Sequence, residues 1–345
     1  MNAKVLIVGN FLSASGVNRT VCEDLAVRLA GAGWRVTTTS ARKRRVPRLP
    51  DMLATVWRSR QHYAVAHVDV FSGPAFVWAE AVTWLLRRLD KPYILTLHGG
   101  NLPRFAQRFP HRVSGLLRSA AVVTTPSRYL HEQLRAYRSD MRLIPNPIEL
   151  GAYEFRLRDA ARPRLVWLRA FHSTYNPTLA GEGVSLLSAE FPGTELIMVG
   201  PDKSAGSLQA AQGAAARLGV HDRVSFPGGV PKRDVPRWLQ RGDIFINTTN
   251  IDNTPVSVIE AMACGLCVVS TDVGGVPYLV EDECDALLVP VGDAEAMAAA
   301  IRRLLTDSQL ARRLSENARR KAEQFDWPVI LPQWEALLTN VAERY

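Results

Sequence analysis

Asp252-Asn253-Thr254-Pro255-Val256-Ser257-Val258-Ile259-Glu260-Ala261-Met262-Ala263-Cys264-Gly265 decides how this 345-residue chain is read. Two carboxylates, Asp252 and Glu260, have seven residues between them. The preceding Asp243-Ile244-Phe245-Ile246-Asn247 reads as a short buried strand. Thr254 is a suitable N-cap, Pro255 suits the first helical position, and Val258, Ile259, Met262 and Ala263 recur on one helical face. Gly265 closes that helix. The stretch is therefore predicted as a strand, a polar loop and a short helix whose N-terminus points out of the sheet. Such an end attracts phosphate through its free N–H groups and its dipole. One acid lies in the loop beside the anion site and the other about two turns along the helix. A phosphate flanked by two hydroxyl-binding acids points to a sugar nucleotide.

The same segment resembles the acid-x7-acid signature of the retaining, nucleotide-sugar-dependent glycosyltransferases of family 4, often called group 1, which have the GT-B fold. The resemblance implies that Asp252 binds the hydroxyls of the donor sugar and Glu260 the ribose. It implies that the loop and helix start formed by Asn253, Thr254, Pro255, Val256 and Ser257 hold the diphosphate. The chain departs from the family pattern twice. Asp252 is one methylene shorter than the usual Glu, and Pro255 removes an amide donor where Gly is common. Both departures touch the sugar and phosphate, so they bear on donor identity more than on fold.

The length accommodates two α/β domains, and an apolar fraction of 47% is that of an ordinary globular protein. No apolar run reaches the roughly 18 residues of a membrane span. The N-terminus lacks the apolar core of a signal peptide and reads as a first strand. Cys22, Cys264, Cys267 and Cys284 form no disulfide framework, which fits a cytoplasmic location. Cys264-Gly265-Leu266-Cys267 lacks a second pair at zinc spacing and reads as buried packing. Asp-x-Asp does not occur and the histidines are scattered, so no metal site is expected. Charge is asymmetric, at +13 over residues 1–160 and −4 over 161–345. Arg42-Lys43-Arg44-Arg45, Arg48, Arg58, Arg60, Arg87 and Arg88 carry much of the excess. No nucleic-acid-binding motif accompanies it, so nucleic acid is not an expected partner. The expected partners are an anionic membrane face or a pyrophosphate-linked lipid acceptor; a merely soluble basic surface is the alternative reading of the same charges.

Short apolar runs alternate with amphipathic stretches along both halves. Val5–Val8, Arg35–Thr39, Ala64–Val68, Tyr93–Leu97, Ala121–Thr124 and Arg142–Ile144 read as strands, with a helix over Arg19–Ala32 stopped at Gly33. Pro145-Asn146-Pro147 breaks the pattern. It restarts with Arg164–Leu168, Glu195–Val199, Arg223–Phe226, Asp243–Asn247 and Cys267–Ser270. The expected fold class is α/β, with two Rossmann-like, doubly wound parallel-sheet domains of the GT-B type facing a central cleft. Residues 1–155 are assigned to an acceptor-side domain and 156–327 to a donor domain. Pro328 interrupts the helical tail, and helix 328–345 is assigned back to the first domain, as in the resembled fold.

Three other constellations belong to the resemblance. His98, in Leu97-His98-Gly99-Gly100, ends a strand in a glycine-flanked turn and matches a family His that contacts the donor sugar. Arg169 follows the strand Leu165–Leu168 and matches an Arg that neutralises the diphosphate. The family's Lys five residues later is missing, with Thr174 or Tyr175 in its place, and His172 or Lys203 is a candidate replacement. Gly16, in the loop after the first strand, matches the family's Gly-Gly turn, with Ser15 for the first Gly, and would bring amides to phosphate or acceptor. His98, Arg169 and Asp252 are thus the candidate catalytic residues. The expected reaction is metal-independent retaining transfer of a sugar from a nucleoside diphosphate to a hydroxyl of a glycan, lipid-linked glycan or small molecule. The nucleotide sugar is a co-substrate and no cofactor is expected. An epimerase of the same fold, or a non-catalytic nucleotide-sugar-binding protein, is the alternative.

Overall fold

The structure, a computed structural model, describes residues 4–13, 19–203 and 206–344. It divides into two compact units, Met1–Pro147 with Trp327–Tyr345, and Ile148–Asp326. The division falls at the end of Pro145-Asn146-Pro147, where a second proline bars helix and restricts the residue before it. Residues 148–155, placed by the sequence reading in the first domain, pack on the second unit. There Ile148 N–H bonds to Phe325 O at 2.8 Å and Leu150 N–H to Asp326 Oδ1 at 3.1 Å.

The first unit holds strands β1 (Lys4–Val8), β2 (Arg35–Thr39), β3 (Val65–Val70), β4 (Tyr93–Leu97), β5 (Val122–Thr125) and β6 (Arg142–Leu143), in spatial order β2-β1-β3-β4-β5-β6. Every pairing in it is parallel. The inner strands β1 and β4 are near-continuous apolar runs, as expected of parallel strands covered by helices on both faces. Leu6, Val8, Val68 and Leu95 feed one core, and Val5, Ile7, Val65 and Ile94 the other. Ile330, Trp334, Leu337 and Leu338 of the last helix, Trp327–Arg344, complete the second core. β3 runs two residues beyond the predicted strand and so takes in Asp69. The first helix, Val21–Gly31, carries a capping box in which Glu23 accepts from Thr20 N–H at 2.9 Å.

The second unit holds β7 (Arg164–Leu168), β8 (Glu195–Val199), β9 (Val224–Gly228), β10 (Ile244–Asn247), β11 (Cys267–Thr271) and β12 (Leu287–Val289), in order β12-β11-β10-β7-β8-β9. All of its pairings are parallel too. The three-residue β12 escapes a sequence reading because it is too short to show a period. In each sheet the order reverses once, between β1 and β3 and between β7 and β10. Ligands of open α/β sheets bind outside the carboxyl ends of strands at such points. Among the described residues no helix is long and apolar enough to cross a membrane.

Candidate active site

Arg169 leaves the end of β7 and Asp252 lies in the loop after β10, so the switch point of the second sheet brings them together. They form an ion pair with side chains 16% and 11% exposed. The Arg169 backbone is held by its N–H to Val199 O at 3.1 Å. Gly200 passes so close that a Cβ there would lie 1.7 Å from Arg169 O. The guanidinium also stacks 4.3 Å over the ring of Tyr175. Burial lowers the Arg169 pKa from its ordinary value, opposed by Tyr175. Tyr175 thus supports the guanidinium with its ring rather than by adding charge. Its turn, Ser173–Tyr175, is tied to the loop after β10 by Asn250 N–H to Thr174 O at 2.8 Å and Thr248 Oγ1 to Tyr175 O at 2.7 Å.

The acid loop is braced from behind. Gly275 N–H donates to Asp252 O at 3.0 Å. A Cβ on Gly274 would lie 2.2 Å from Asp252 O, and one on Gly275 1.5 Å from Asn253 O. Gly274 also has φ of +57°, a region that favours glycine. This pair, after β11, was visible in the sequence as Val273-Gly274-Gly275 but matched nothing in the acid motif. Asn253 N–H caps Asp252 Oδ1 at 2.8 Å.

The helix begins one residue later than predicted, running Val256–Ala263 with Pro255 rather than Thr254 at the cap position. Pro255 has ψ of 104°, extended backbone, and its carbonyl already accepts from Val258 N–H at 3.0 Å. Val256 and Ser257 therefore form the first turn, whose N–H groups have no intrahelical acceptor. Three polar atoms here, Arg169 Nε, Asn253 Oδ1 and Ser257 Oγ, are buried and without a hydrogen-bond partner. Buried polar atoms are normally paired, so hydrogen-bonding capacity is left unused at this helix start. Thr254 is half-buried beside them.

Glu260 lies just over one turn into the helix, with its side chain 3% exposed. Tyr153 Oη donates to Glu260 Oε1 at 2.7 Å, and Lys232 makes an ion pair with the same oxygen. Neither partner belongs to the motif. Tyr153 follows the turn Leu150–Ala152 at the domain junction, and Lys232 sits in a turn after β9. Nothing in the sequence linked either to an acid 28 or more residues away. Of the candidate replacement cations, His172 Nδ1 accepts from Thr174 N–H at 3.1 Å, and Lys203 is exposed. The structure pairs neither with Asp252 or Glu260. Cys264 and Cys267 are free and buried, their pKa values raised by burial to about 11 and about 12.

His98 belongs to the first unit. Its N–H bonds to Val70 O at 2.9 Å, and its ring stacks on Phe71 at 5.1 Å. Nε2 lies 3.0 Å from Asp69 Oδ1, and Asp69 is 5% exposed. Gly16 and Ser15 lie outside the described residues. Arg48, counted in the sequence among the excess basic residues, is buried. It donates to Asn10 Oδ1 at 2.8 Å and to the carbonyls of Arg42 and Lys43 at 2.9 and 3.0 Å.

Residues 156–321 match the model of the glycosyl transferases group 1, and residues 12–151 that of Glycosyltransferase Family 4. A D-inositol 3-phosphate glycosyltransferase of Jonesia denitrificans is 23% identical over 77% of this chain and 69% of its own length. The amylovoran biosynthesis glycosyltransferase AmsK of Erwinia amylovora is 32% identical over 46% of this chain, a match spanning only 40% of that protein. Among solved structures, the sucrose-phosphate synthase of Thermosynechococcus elongatus superposes with a TM-score of 0.80, covering 99% of this chain and 100% of that one at 20% identity. Anabaena Alr3699/HepE, in complex with UDP and glucose, superposes with a TM-score of 0.79 over 98% and 100% at 19% identity. The chain belongs to the group 1, family 4 glycosyltransferases and has their two-domain GT-B fold.

Proposed function

We propose that this protein transfers a sugar from a nucleoside diphosphate to a hydroxyl acceptor, with retention of configuration and without a metal ion. The observation that carries the reading is the pairing of Arg169 with Asp252 at the switch point, one helix start away from Glu260. Charge develops on the leaving diphosphate during transfer, and preorganised donors stabilise it. Arg169 can grip that diphosphate bidentately, and the first-turn amides of Val256 and Ser257 add their dipoles. Asp252 is assigned to the sugar hydroxyls, His98 to the sugar during transfer, and Glu260 to the ribose. Lys232, beside Glu260, supplies the second basic residue that the sequence lacks after Arg169. The UDP complex of the Anabaena neighbour supports a nucleoside diphosphate as ligand.

The acceptor is read as a glycan or lipid-linked glycan, met at an anionic cytoplasmic membrane face. Support comes from the first unit, where Trp57 and Trp84 are about half exposed, with Arg60 stacked 4.5 Å from one ring and Arg88 5.3 Å from the other. Amphipathic aromatic rings beside Arg are suited to such an interface.

The test is a panel of UDP-, GDP- and dTDP-sugars in chelator, with the product anomer read by NMR. Transfer with the donor's own anomeric configuration is expected. Tight nucleotide binding without turnover of any donor would replace the enzyme with a binding protein, and inversion would overturn the retaining assignment.

A further inference from the structure

We propose that Asp69 is a positioning residue for His98, fixing the imidazole proton on Nε2 and leaving Nδ1 as the ring nitrogen presented to a ligand. The geometry stands on its own; its consequence for turnover rests on the sugar-transfer reading.

Asp69 lies in β3 at the switch point of the first sheet, beside the start of the loop after β1. Gly9, which opens that loop, gives it room: a Cβ there would come 2.8 Å from Asp69 Oδ2 and 2.6 Å from Cys22 Sγ. The groups facing the carboxylate are Cys22 from the first helix, His67 from its own strand, and His98 from the end of β4. Burial, with the Asp69 charge beside it, raises the Cys22 thiol pKa, so the thiol stays neutral.

His67 is also neutral. Its Nε2 lies 2.6 Å from Thr96 Oγ1, which is itself 2.7 Å from Thr124 Oγ1. His67 Nδ1 is buried without a hydrogen-bond partner. Burial lowers the pKa of this ring to about 4, against the pull of Asp69. Its Nε2 is 3.9 Å from Asp69 Oδ1, too long for a hydrogen bond.

The close imidazole partner of Asp69 is therefore His98. Burial would raise the Asp69 carboxyl, but His98 and its hydrogen bond hold it below the usual carboxylate range. An ionised carboxylate only accepts, so the 3.0 Å contact places a proton on His98 Nε2. The stacked Phe71 ring limits ring rotation. A neutral His98 then offers Nδ1 as acceptor, and a protonated one offers Nδ1–H as donor.

The experiment has two arms. Nitrogen NMR of histidine-labelled full-length protein reads the tautomer without any substrate. His98 is expected to be protonated at Nε2 in the wild type and to lose that preference in Asp69→Asn. A wild-type His98 protonated at Nδ1 alone would overturn the proposal. In the kinetic arm, Asp69→Asn is expected to lower kcat by roughly ten- to a hundredfold, the range of coupling between bonded side chains, with donor KM nearly unchanged. In a His98→Ala background the same substitution should cost almost nothing more. An equal loss in both backgrounds would make Asp69 merely structural. If the wild type turns over no nucleotide sugar, the sugar-transfer reading falls, and the tautomer measurement still decides whether Asp69 sets the His98 proton.

Discussion

Arg169 and Asp252, each less than a fifth exposed, are ion-paired to one another across the carboxyl ends of β7 and β10. The cation assigned to the diphosphate and the acid assigned to the sugar are therefore each other's partner. A bound diphosphate would share the guanidinium and turn the carboxylate toward the sugar. Removing either partner leaves the other partly buried and unpaired, a cost beyond the lost ligand contact.

Arg169→Ala is expected to be the most damaging single change at the site. Losing one transition-state charge contact commonly costs about 2.7–4 kcal/mol, and no Lys follows five residues later to share the load. Arg169→Lys should rescue only partly, because an ammonium cannot reproduce the guanidinium fork or its stacking on Tyr175. Steady-state kcat/KM measures this. Retention of more than a tenth of wild-type activity by the Ala variant would move the diphosphate to another cation, with Lys232 first in line.

Glu260→Gln should weaken the free nucleoside diphosphate as well as the intact donor, since the ribose is common to both. Hydrogen bonds to a charged group are worth about 1.5–3 kcal/mol, so a tenfold or larger rise in Kd is expected by calorimetry. Weakened sugar discrimination with unaffected diphosphate binding would exchange the roles of Glu260 and Asp252.

Gly275→Ala tests the brace behind the acid loop. Its backbone is ordinary, with φ of −91°, so the effect must come from the Cβ meeting Asn253 O. The loop has to move, which should destabilise the second unit by about 1–3 kcal/mol and weaken donor binding together. Unchanged donor affinity with lowered Tm would show that the Asp252 position tolerates the shift.

His67 should make the first unit acid-sensitive above the carboxylate range. Its folded pKa of about 4 lies below the unfolded value of about 6.5. The unfolded chain therefore binds more protons between those limits, and stability falls as pH drops from 6.5 toward 4. The full effect is about 3 kcal/mol for a shift of this size. Asp69 has its pKa lowered, so its contribution is lost at lower pH, below the usual carboxylate range. Urea midpoints at pH 7 and pH 5 should differ clearly in the wild type and much less in His67→Gln. Parallel losses in both would assign the acid sensitivity elsewhere.

Replacing Arg42, Lys43, Arg44 and Arg45 by Ala should reduce sedimentation with phosphatidylserine vesicles and leave nucleotide affinity unchanged. Each basic residue near an anionic surface contributes about 1 kcal/mol, so the loss is readily measured. Arg48 must be kept, because it braces the backbone of this segment from inside. Equal sedimentation of both proteins would return these charges to an ordinary solvated surface.

The sequence by itself determined the fold class and the acid motif. Period-two and buried-run patterns are local properties, and strand, loop and helix around residues 243–265 are dictated by residues adjacent in the chain. The positions of His98, Arg169, Asp252 and Glu260 were legible because the first two directly follow a strand, Asp252 lies in a strand-to-helix loop, and Glu260 is on the helix that loop opens. What surrounds them was not. Tyr153 and Lys232 reach Glu260, Tyr175 lies under Arg169, and Gly274 and Gly275 support the loop of Asp252, all through contacts across distant segments. Asp69 was hidden because an acid in a buried strand looks like the end of that strand. Only sheet order, which puts β1 beside β3 and β7 beside β10, brings such residues within hydrogen-bonding distance, and sheet order is decided by packing of whole elements rather than by any local pattern.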